Sequence, residues 1–417
     1  MRSEDRLTLH NLPDFPAIER IWQVLPSARL VGGAVRDLLK GVSASDFDFG
    51  TPVAPQDVME MLKAAGIRAI PTGLAHGTVT AVIDGRGFEV TTLRRDERTD
   101  GRHAEVAWTS DWREDASRRD FTINAMSCDS DGRVHDYFGG FEDLAAGHVR
   151  FVGDARTRIR EDALRILRFF RFQARFGSGE PDEETLAAIA GCVNLIELLS
   201  VERIWSELRR LLTGPNVVAI LRLMDRTNVL TTCLPELKDH AEKAVRRVEA
   251  LIGLGAPSDE LLRLAALLAG SGSGDETVRK CLARLRLSRA ESDAVLAMLG
   301  EPVPHPARIL TEEDGLRLLA ELPREIWLSR TWLAEAREKA EGDTPHSEAP
   351  WQTLRQMLSD LPMPVFPLAG RDLLAMGLPP GPKIGDLLAV VHTWWKGNGC
   401  RADKEAALAY LRRVIVS

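Results

Sequence analysis

Residues 30–49 read LVGGAVRDLLKGVSASDFDF. A short apolar run meets the pair Gly32–Gly33, and the residues that follow, to about 41, have helical spacing. Asp46 and Asp48 then stand one residue apart in SDFDFG. On a strand, positions i and i+2 point to the same side, so both carboxylates can reach one metal site. Glycines let a backbone approach a ligand closely, and the amides that open a helix suit phosphate. Each feature alone has an ordinary reading, as a strand–turn–helix corner or a pair of surface acids. Together, a glycine turn for a triphosphate beside paired acids for Mg²⁺ is the outline of two-metal phosphoryl transfer. Glu89, in GFEVTTLR at 87–94, is the candidate third acid on an adjacent strand. An exposed strand glutamate is the competing reading there.

Outward from this stretch, short β-type runs alternate with glycine turns: ARLVGG, FDFGT, GTVTAVID, GFEVTTLR and RVHDYFGG. With helical spacing only at about 34–41 and 55–65, this part predicts a small α/β domain on a mixed sheet. After residue 150 nearly every segment has helical periodicity: 158–175, 183–192, 200–213, 215–228, 241–253, 259–269, 276–285 and 289–299. Loop signals at 300–313 and 340–350 mark boundaries in the helical part. The expected fold class is α+β, with an α/β head followed by a long all-α body.

The 417 residues give room for two to four domains. A content of 44% hydrophobic and 28% charged residues is that of an ordinary globular protein. The net charge of −7 speaks against nucleic acid as a partner only on average, since local patches are hidden in the sum. Five scattered cysteines without a CxxC pair suit reduced thiols and give no disulfide or metal framework. The N-terminal MRSEDRLTLHNLPDF carries charges where a signal peptide needs an apolar core. The apolar LLRLAALLAG at 261–270 is too short to span a bilayer. The expectation is a cytoplasmic protein with no membrane partner.

Residues 158–175, RIREDALRILRFFRFQAR, put six arginines on what reads as one half-apolar helix. Asp162, Arg165 and Arg168 step by three, and Arg171 and Arg175 continue the same face. Leu164, Ile166, Leu167, Phe170 and Phe172 form the face that can be buried. A solvated face with i,i+3 ion pairs is the ordinary reading of such an edge.

The motifs in order, LVGGAVRDLLKGVSASDFDF, FEVTTLR and RRDFTINAM at 118–126, closely resemble the nucleotidyltransferase superfamily of DNA polymerase β. Within it the match is to the class II tRNA nucleotidyltransferases and bacterial poly(A) polymerases. It continues through HDYFGGFEDL at 135–144 and EDALRILRFFRF at 161–172, and reaches AGRDLLAMGLPPGPKIGDLL at 369–388. The resemblance implies a catalytic head over 1–147, a helical neck over 148–215 with a base-reading helix, a body over 216–345 and a tRNA-binding tail over 346–417. It further implies that Gly32, Gly33 and Arg36 contact the incoming nucleoside triphosphate and that Asp46 and Asp48 hold magnesium. Arg119 and Asp120 would face the sugar and phosphates, although Asp120 before an apolar run also suits a helix cap. Asn124 is read as a brace, and 96–109, DERTDGRHAEVAWT, as the family's mobile loop. His135–Asp136 is read as part of the following glycine turn. Glu202, Arg203 and Glu207 fall on the polar side of 200–213, where a family RxxxE stretch braces the base-reading helix.

Cytosine and adenine both offer an amino donor beside a ring acceptor. Asp162 can accept from the amino group while Arg165 donates to the ring nitrogen. Guanine and uracil present a carbonyl and a ring N–H, so both bonds fail, at roughly 1–3 kcal/mol each. The family assigns base reading to the matching pair, with Arg168 and Arg171 stacking on the base or neutralising phosphates. The expected activity is template-independent addition of CCA to the tRNA 3′ end from CTP and ATP, with Mg²⁺. The protein partner surface would meet the acceptor stem and elbow. A poly(A) polymerase, or a sibling adding only CC or only A, shares every motif quoted; a non-catalytic tRNA-binding relative is the remaining alternative. No residue pattern fixes an oligomeric state.

Overall fold

The computed structural model describes residues 6–416 apart from 45, 100–103, 271–274, 303, 304, 310 and 343–346. The chain divides into two compact units, Met1–Cys233 and Leu234–Ser417. The first is α+β, as expected.

Its sheet has seven strands: β1 (Arg29–Val31), β2 (Phe49–Thr51), β3 (Arg68–Gly73), β4 (Thr78–Ile83), β5 (Arg86–Thr92), β8 (Ser127–Cys128) and β9 (Val134–His135). Between them in sequence, β6 (Arg94–Thr99) and β7 (Ala104–Trp108) form a separate antiparallel ribbon. The order in the large sheet is β3-β4-β5-β2-β1-β8-β9. Only β2 and β5 run parallel, so the sheet is mixed, as predicted. Alternation drives the central strands. In β5, Phe88, Val90 and Thr92 are buried and Glu89 is exposed between them. The register Phe49↔Val90 then carries Asp48 alongside Glu89.

The helices of this unit are α1 (Phe15–Val24), α2 (Gly33–Leu39), α3 (Pro55–Ala64), α4 (Trp112–Ser117), α5 (Gly140–Ala146), α6 (Ala155–Glu161), α7 (Leu164–Phe176), α8 (Glu183–Ala190), α9 (Val201–Leu212), α10 (Val217–Arg226) and α11 (Val229–Cys233). The reading of the sequence missed α1, although Ile18, Ile21 and Trp22 sit at helical spacing and are buried together. The sheet part is joined to the helices after it by an aromatic core. Phe121 lies 5.0 Å from Phe151, 6.3 Å from Phe169 and 5.2 Å from Phe172, ring centroid to centroid. All four rings are buried, at about 2–3 kcal/mol of hydrophobic stabilisation each.

One expectation is corrected. The stretch 158–175 is two helices, α6 and α7, broken at Asp162, whose backbone is extended at φ −150°, ψ 105°. Asp162 Oδ1 accepts from the Leu164 amide at 3.1 Å, the local bond by which aspartate competes with helix. Arg165 Nη1 donates back to the Arg158 carbonyl at 2.9 Å, satisfying an acceptor at the end of α6. The apolar face of α7 is nonetheless buried, Phe169 and Phe176 included.

The second unit is helical. Its core gathers Leu316, Trp327, Trp351, Leu358 and Trp395. A fully buried Glu335 pairs with Arg355, which stacks 3.5 Å over Trp332. Trp395 belongs to this core, and Trp394 stacks on Tyr410 at 4.5 Å. Among the described residues no helix is long and apolar enough to cross a membrane.

Candidate active site

A cavity of about 410 Å³ opens where β1, α2, the segment after α4 and the start of α7 meet. Gly32 and Gly33 line one side, as the glycine turn predicts. Gly32 has φ +64°, and a Cβ there would stand 3.0 Å from Arg119 Nη1. Only glycine takes this backbone without strain, and it leaves the space that Arg119 uses.

Four guanidinium groups (Arg36, Arg119, Arg165, Arg168) and three carboxylates (Asp48, Asp120, Asp162) also line the cavity. Arg36 is buried against the Phe176 ring at 4.3 Å and pairs with Asp37 at 2.8 Å. Asn124, which the sequence reading passed over as a brace, is the hub of this wall. Its Oδ1 accepts from Arg36, and its Nδ2 donates to Asp120 Oδ1 at 2.9 Å. Asp120 is not a helix cap. Its Oδ1 also accepts from the Phe121 amide, and its Oδ2 takes both Nε and Nη2 of Arg168. Burial alone would raise the Asp120 carboxyl, but Arg168 and Asn124 outweigh it and hold it below the ordinary 3.8.

Asp46 and Asp48 lie just ahead of β2, with Phe47 buried between them. The Val31 amide donates to the Asp48 carbonyl at 2.9 Å, which prolongs the strand pairing and keeps the two acids on one side. Asp48 opens to solvent, yet the atoms crowded around it raise its carboxyl above 3.8; the charges of Glu89 and Asp46 raise it further, and Arg119 opposes them. Glu89 shares with Asp48 a smaller adjoining pocket of about 220 Å³. Among the described residues no three of His, Cys, Asp and Glu converge on one point as a metal cage. Glu89 acts on Asp48 by charge across this shared pocket. The donor set still fits a hard divalent cation: oxygen ligands only, few of them, and a like-charge strain that a cation relieves.

At the far wall, Asp162 Oδ2 accepts from Arg203 at 2.7 Å, and Arg165 Nη1 pairs with Glu161 at 2.7 Å. Arg165 Nη2 also donates to the Arg118 carbonyl at 2.9 Å. Both members of the expected base-reading pair line the cavity, although not on one helix. Arg171 does not line it: Glu207 of α9, itself buried, takes its Nε at 2.5 Å. Thus Arg203 and Glu207, four apart on α9, hold Asp162 and Arg171, the bracing expected of that stretch. Asp136 accepts the Phe138, Gly140 and Phe141 amides at the start of α5, the turn role expected of it. The segment 96–109 takes in most of β6 and all of β7, and its residues 100–103 lie outside the described ones.

A cationic cavity with a glycine turn on one edge and Asp48, of the Asp46–Asp48 pair, on another is the site of a nucleotidyltransferase. Residues 28–150 match the family described as "Poly A polymerase head domain", and 180–240 match "Probable RNA and SrmB- binding site of polymerase A". The mouse (Mus musculus) CCA tRNA nucleotidyltransferase 1, mitochondrial, is 38% identical over 393 residues, 92% of this chain and 86% of the relative. The CCA-adding enzyme of Geobacillus stearothermophilus is 32% identical over 411 residues, 94% and 95% of the two chains. The crystal structure of the Bacillus stearothermophilus CCA-adding enzyme in complex with CTP superposes with a TM-score of 0.75 at 31% identity, covering 96% of this chain and 97% of that one. The chain belongs to the class II CCA-adding tRNA nucleotidyltransferase family, whose members are metal-dependent enzymes.

Proposed function

We propose that this protein adds CCA to the 3′ end of tRNA, using CTP and then ATP as donors. The observation that carries the reading is the joining, in one cavity, of Gly32, Asp48, Arg119 and the Asp162–Arg165 pair. The triphosphate lies along Gly32, Gly33 and Arg119, where amides and guanidinium groups balance its charge. The base reaches toward Asp162 and Arg165. Asp162 exchanges its Arg203 contact for the amino group of cytosine or adenine, and Arg165 donates to the ring nitrogen. Asp120, buried, already accepts from Phe121, Asn124 and twice from Arg168, so a ribose hydroxyl would reach it by displacing one of these donors.

Asp46 and Asp48 would hold Mg²⁺, which binds through one or two carboxylates plus substrate phosphates. When bound, the metal supplies charge neutralisation at the phosphates and activates the 3′-hydroxyl for attack at the α-phosphate. Five buried free cysteines support a reducing compartment such as the cytoplasm; the relatives include mitochondrial and bacterial enzymes.

The test is incorporation of labelled CTP and ATP into tRNA ending before CCA, with and without Mg²⁺, by the full chain and by Asp46→Ala. Magnesium-dependent addition that Asp46→Ala abolishes is expected. Addition that survives the substitution overturns the metal assignment, and a wild-type chain that adds nothing to tRNA overturns the function.

A further inference from the structure

Asp115 is buried, 3% exposed, and has no part in the chemistry above. It sits on α4, between the β6–β7 ribbon and the arginine pair 118–119. Its Oδ1 accepts from Arg118 Nε at 2.9 Å and Nη2 at 2.7 Å, and from the Arg94 amide, at the start of β6, at 3.2 Å. Its Oδ2 accepts from Arg119 Nη2 at 3.2 Å. One buried charge thus takes four donors from three residues. Burial alone would raise this carboxyl; Arg118 and Arg119 outweigh that and hold it ionised.

The two arginines lead to opposite ends of the cavity. Arg119 lines it beside Gly32 and also lines the pocket that contains Asp48 and Glu89. The Arg118 carbonyl receives Arg165 Nη2 at 2.9 Å. We propose that Asp115 is a positioning residue for nucleotide transfer. It sets Arg119 against the triphosphate end and, through Arg118, fixes the carbonyl that seats Arg165 at the base end. The inference rests on the proposed function for its substrates. A carboxylate kept only for stability would have no reason to bear on both nucleotide affinity and base choice; one at this junction bears on both.

The experiment uses the full chain and Asp115→Asn, which keeps the shape and removes the charge. CTP affinity is measured by equilibrium binding, and CTP against UTP use is measured on tRNA ending before CCA. In the variant, CTP binding weakens about tenfold and the CTP:UTP preference falls about tenfold, while kcat changes by less than about threefold. Unchanged affinity and preference in a folded variant overturn the proposal. If Asp115→Asn does not fold, Arg118→Lys breaks the paired contact and leaves Asp115 in place. Its CTP:UTP preference is expected to fall likewise, and an unchanged preference overturns the proposal. A wild-type chain inactive on tRNA defeats the parent reading instead, and the binding ratio still decides the role of Asp115.

Discussion

Asp120 and Arg168 stand 48 residues apart in the chain, yet one Asp120 oxygen receives Arg168 Nε at 2.8 Å and Nη2 at 2.6 Å. The bond joins the segment after α4 to the middle of α7. Asn124 and Arg36 extend it to Asp37 on α2, and Asp37 meets Arg175 of α7 at 3.5 Å. One wall of the nucleotide cavity is therefore held by a continuous network of ion pairs and hydrogen bonds that returns to α7. Removing one member leaves its partner uncompensated, so Asp120→Ala should cost about 3 kcal/mol, the low side for a buried pair because Arg168 is one-third exposed. Urea unfolding of Asp120→Ala, Arg168→Ala and the double variant checks it. The double variant should lose less than the sum of the singles.

Protonation should break this network at Asp120, and with it the Asp115 ion pairs to Arg118 and Arg119. Asp115 and Asp120 are both held below the ordinary carboxylate value of 3.8 in the fold. The stability they contribute is complete above that value and is lost as pH falls through their lowered folded values. Asp48 has the opposite sign: raised in the fold, it costs stability when ionised, and that cost is relieved as pH falls toward its raised value. Metal-free thermal melts should therefore rise slightly as pH falls from neutrality toward the raised Asp48 value, then drop steeply below about pH 4. Asp48→Asn should remove the rise and keep the drop.

The same strain predicts an unusual pair of effects at Asp48. In metal-free protein Asp48→Asn should melt no lower than wild type, because a partly desolvated charge and its repulsion with Glu89 and Asp46 are gone. Its transfer activity should fall by at least about a thousandfold, the scale for losing a metal-centred electrostatic contribution. Calorimetry with and without Mg²⁺ separates the two: the metal should raise the melting temperature of wild type and leave that of the variant unmoved.

Gly32→Ala tests the turn. A side chain there meets Arg119 at 3.0 Å in a backbone region that L residues rarely adopt. The cost should be about 1–3 kcal/mol of stability, with weaker binding of CTP and ATP alike, because the displaced Arg119 serves every triphosphate. Equal loss for both nucleotides supports the assignment; a selective loss of one contradicts it.

Base choice is predicted to lie with Asp162. Asp162→Asn replaces an obligate acceptor by a group that also donates, so uracil and guanine no longer meet like against like. The CTP:UTP preference should fall about ten- to a hundredfold, the value of one buried mismatch. Single-turnover competition on tRNA ending before CCA measures it directly.

Local patterns carried much of this in the sequence. The Gly32–Gly33 turn, the alternation that sets Glu89 outward from β5 and the spacing of Asp46 and Asp48 are each fixed by a few neighbouring residues. The break at Asp162 was not legible, because Glu161, Ala163, Leu164 and Arg165 all accept a helix. The local bond from the Leu164 amide to Asp162 is one that helical aspartates often forgo; Arg203, 41 residues on, holds the other Asp162 oxygen and fixes it. Spacing sets Arg171 on the face of Arg168 and the resemblance gives it a nucleotide role; that buried Glu207, 36 residues on, takes its Nε is not visible in either. Asn124 gave no local sign of bridging Arg36 and Asp120. Asp115 did give one, an acid three and four residues before two arginines, but such spacing is common on exposed helices. Its burial marks it out, and burial is not local.

Addition of exactly CCA is the claim most directly measurable. Full-length protein is given Mg²⁺, all four labelled nucleotides and, separately, tRNA ending before CCA, tRNA ending in CC and an oligo(A) primer, with products resolved to single nucleotides. Three additions to the first tRNA, one to the second and none in series on the primer are expected. Long adenylate ladders on the primer with little CTP consumed would contradict the claim and make the protein a poly(A) polymerase.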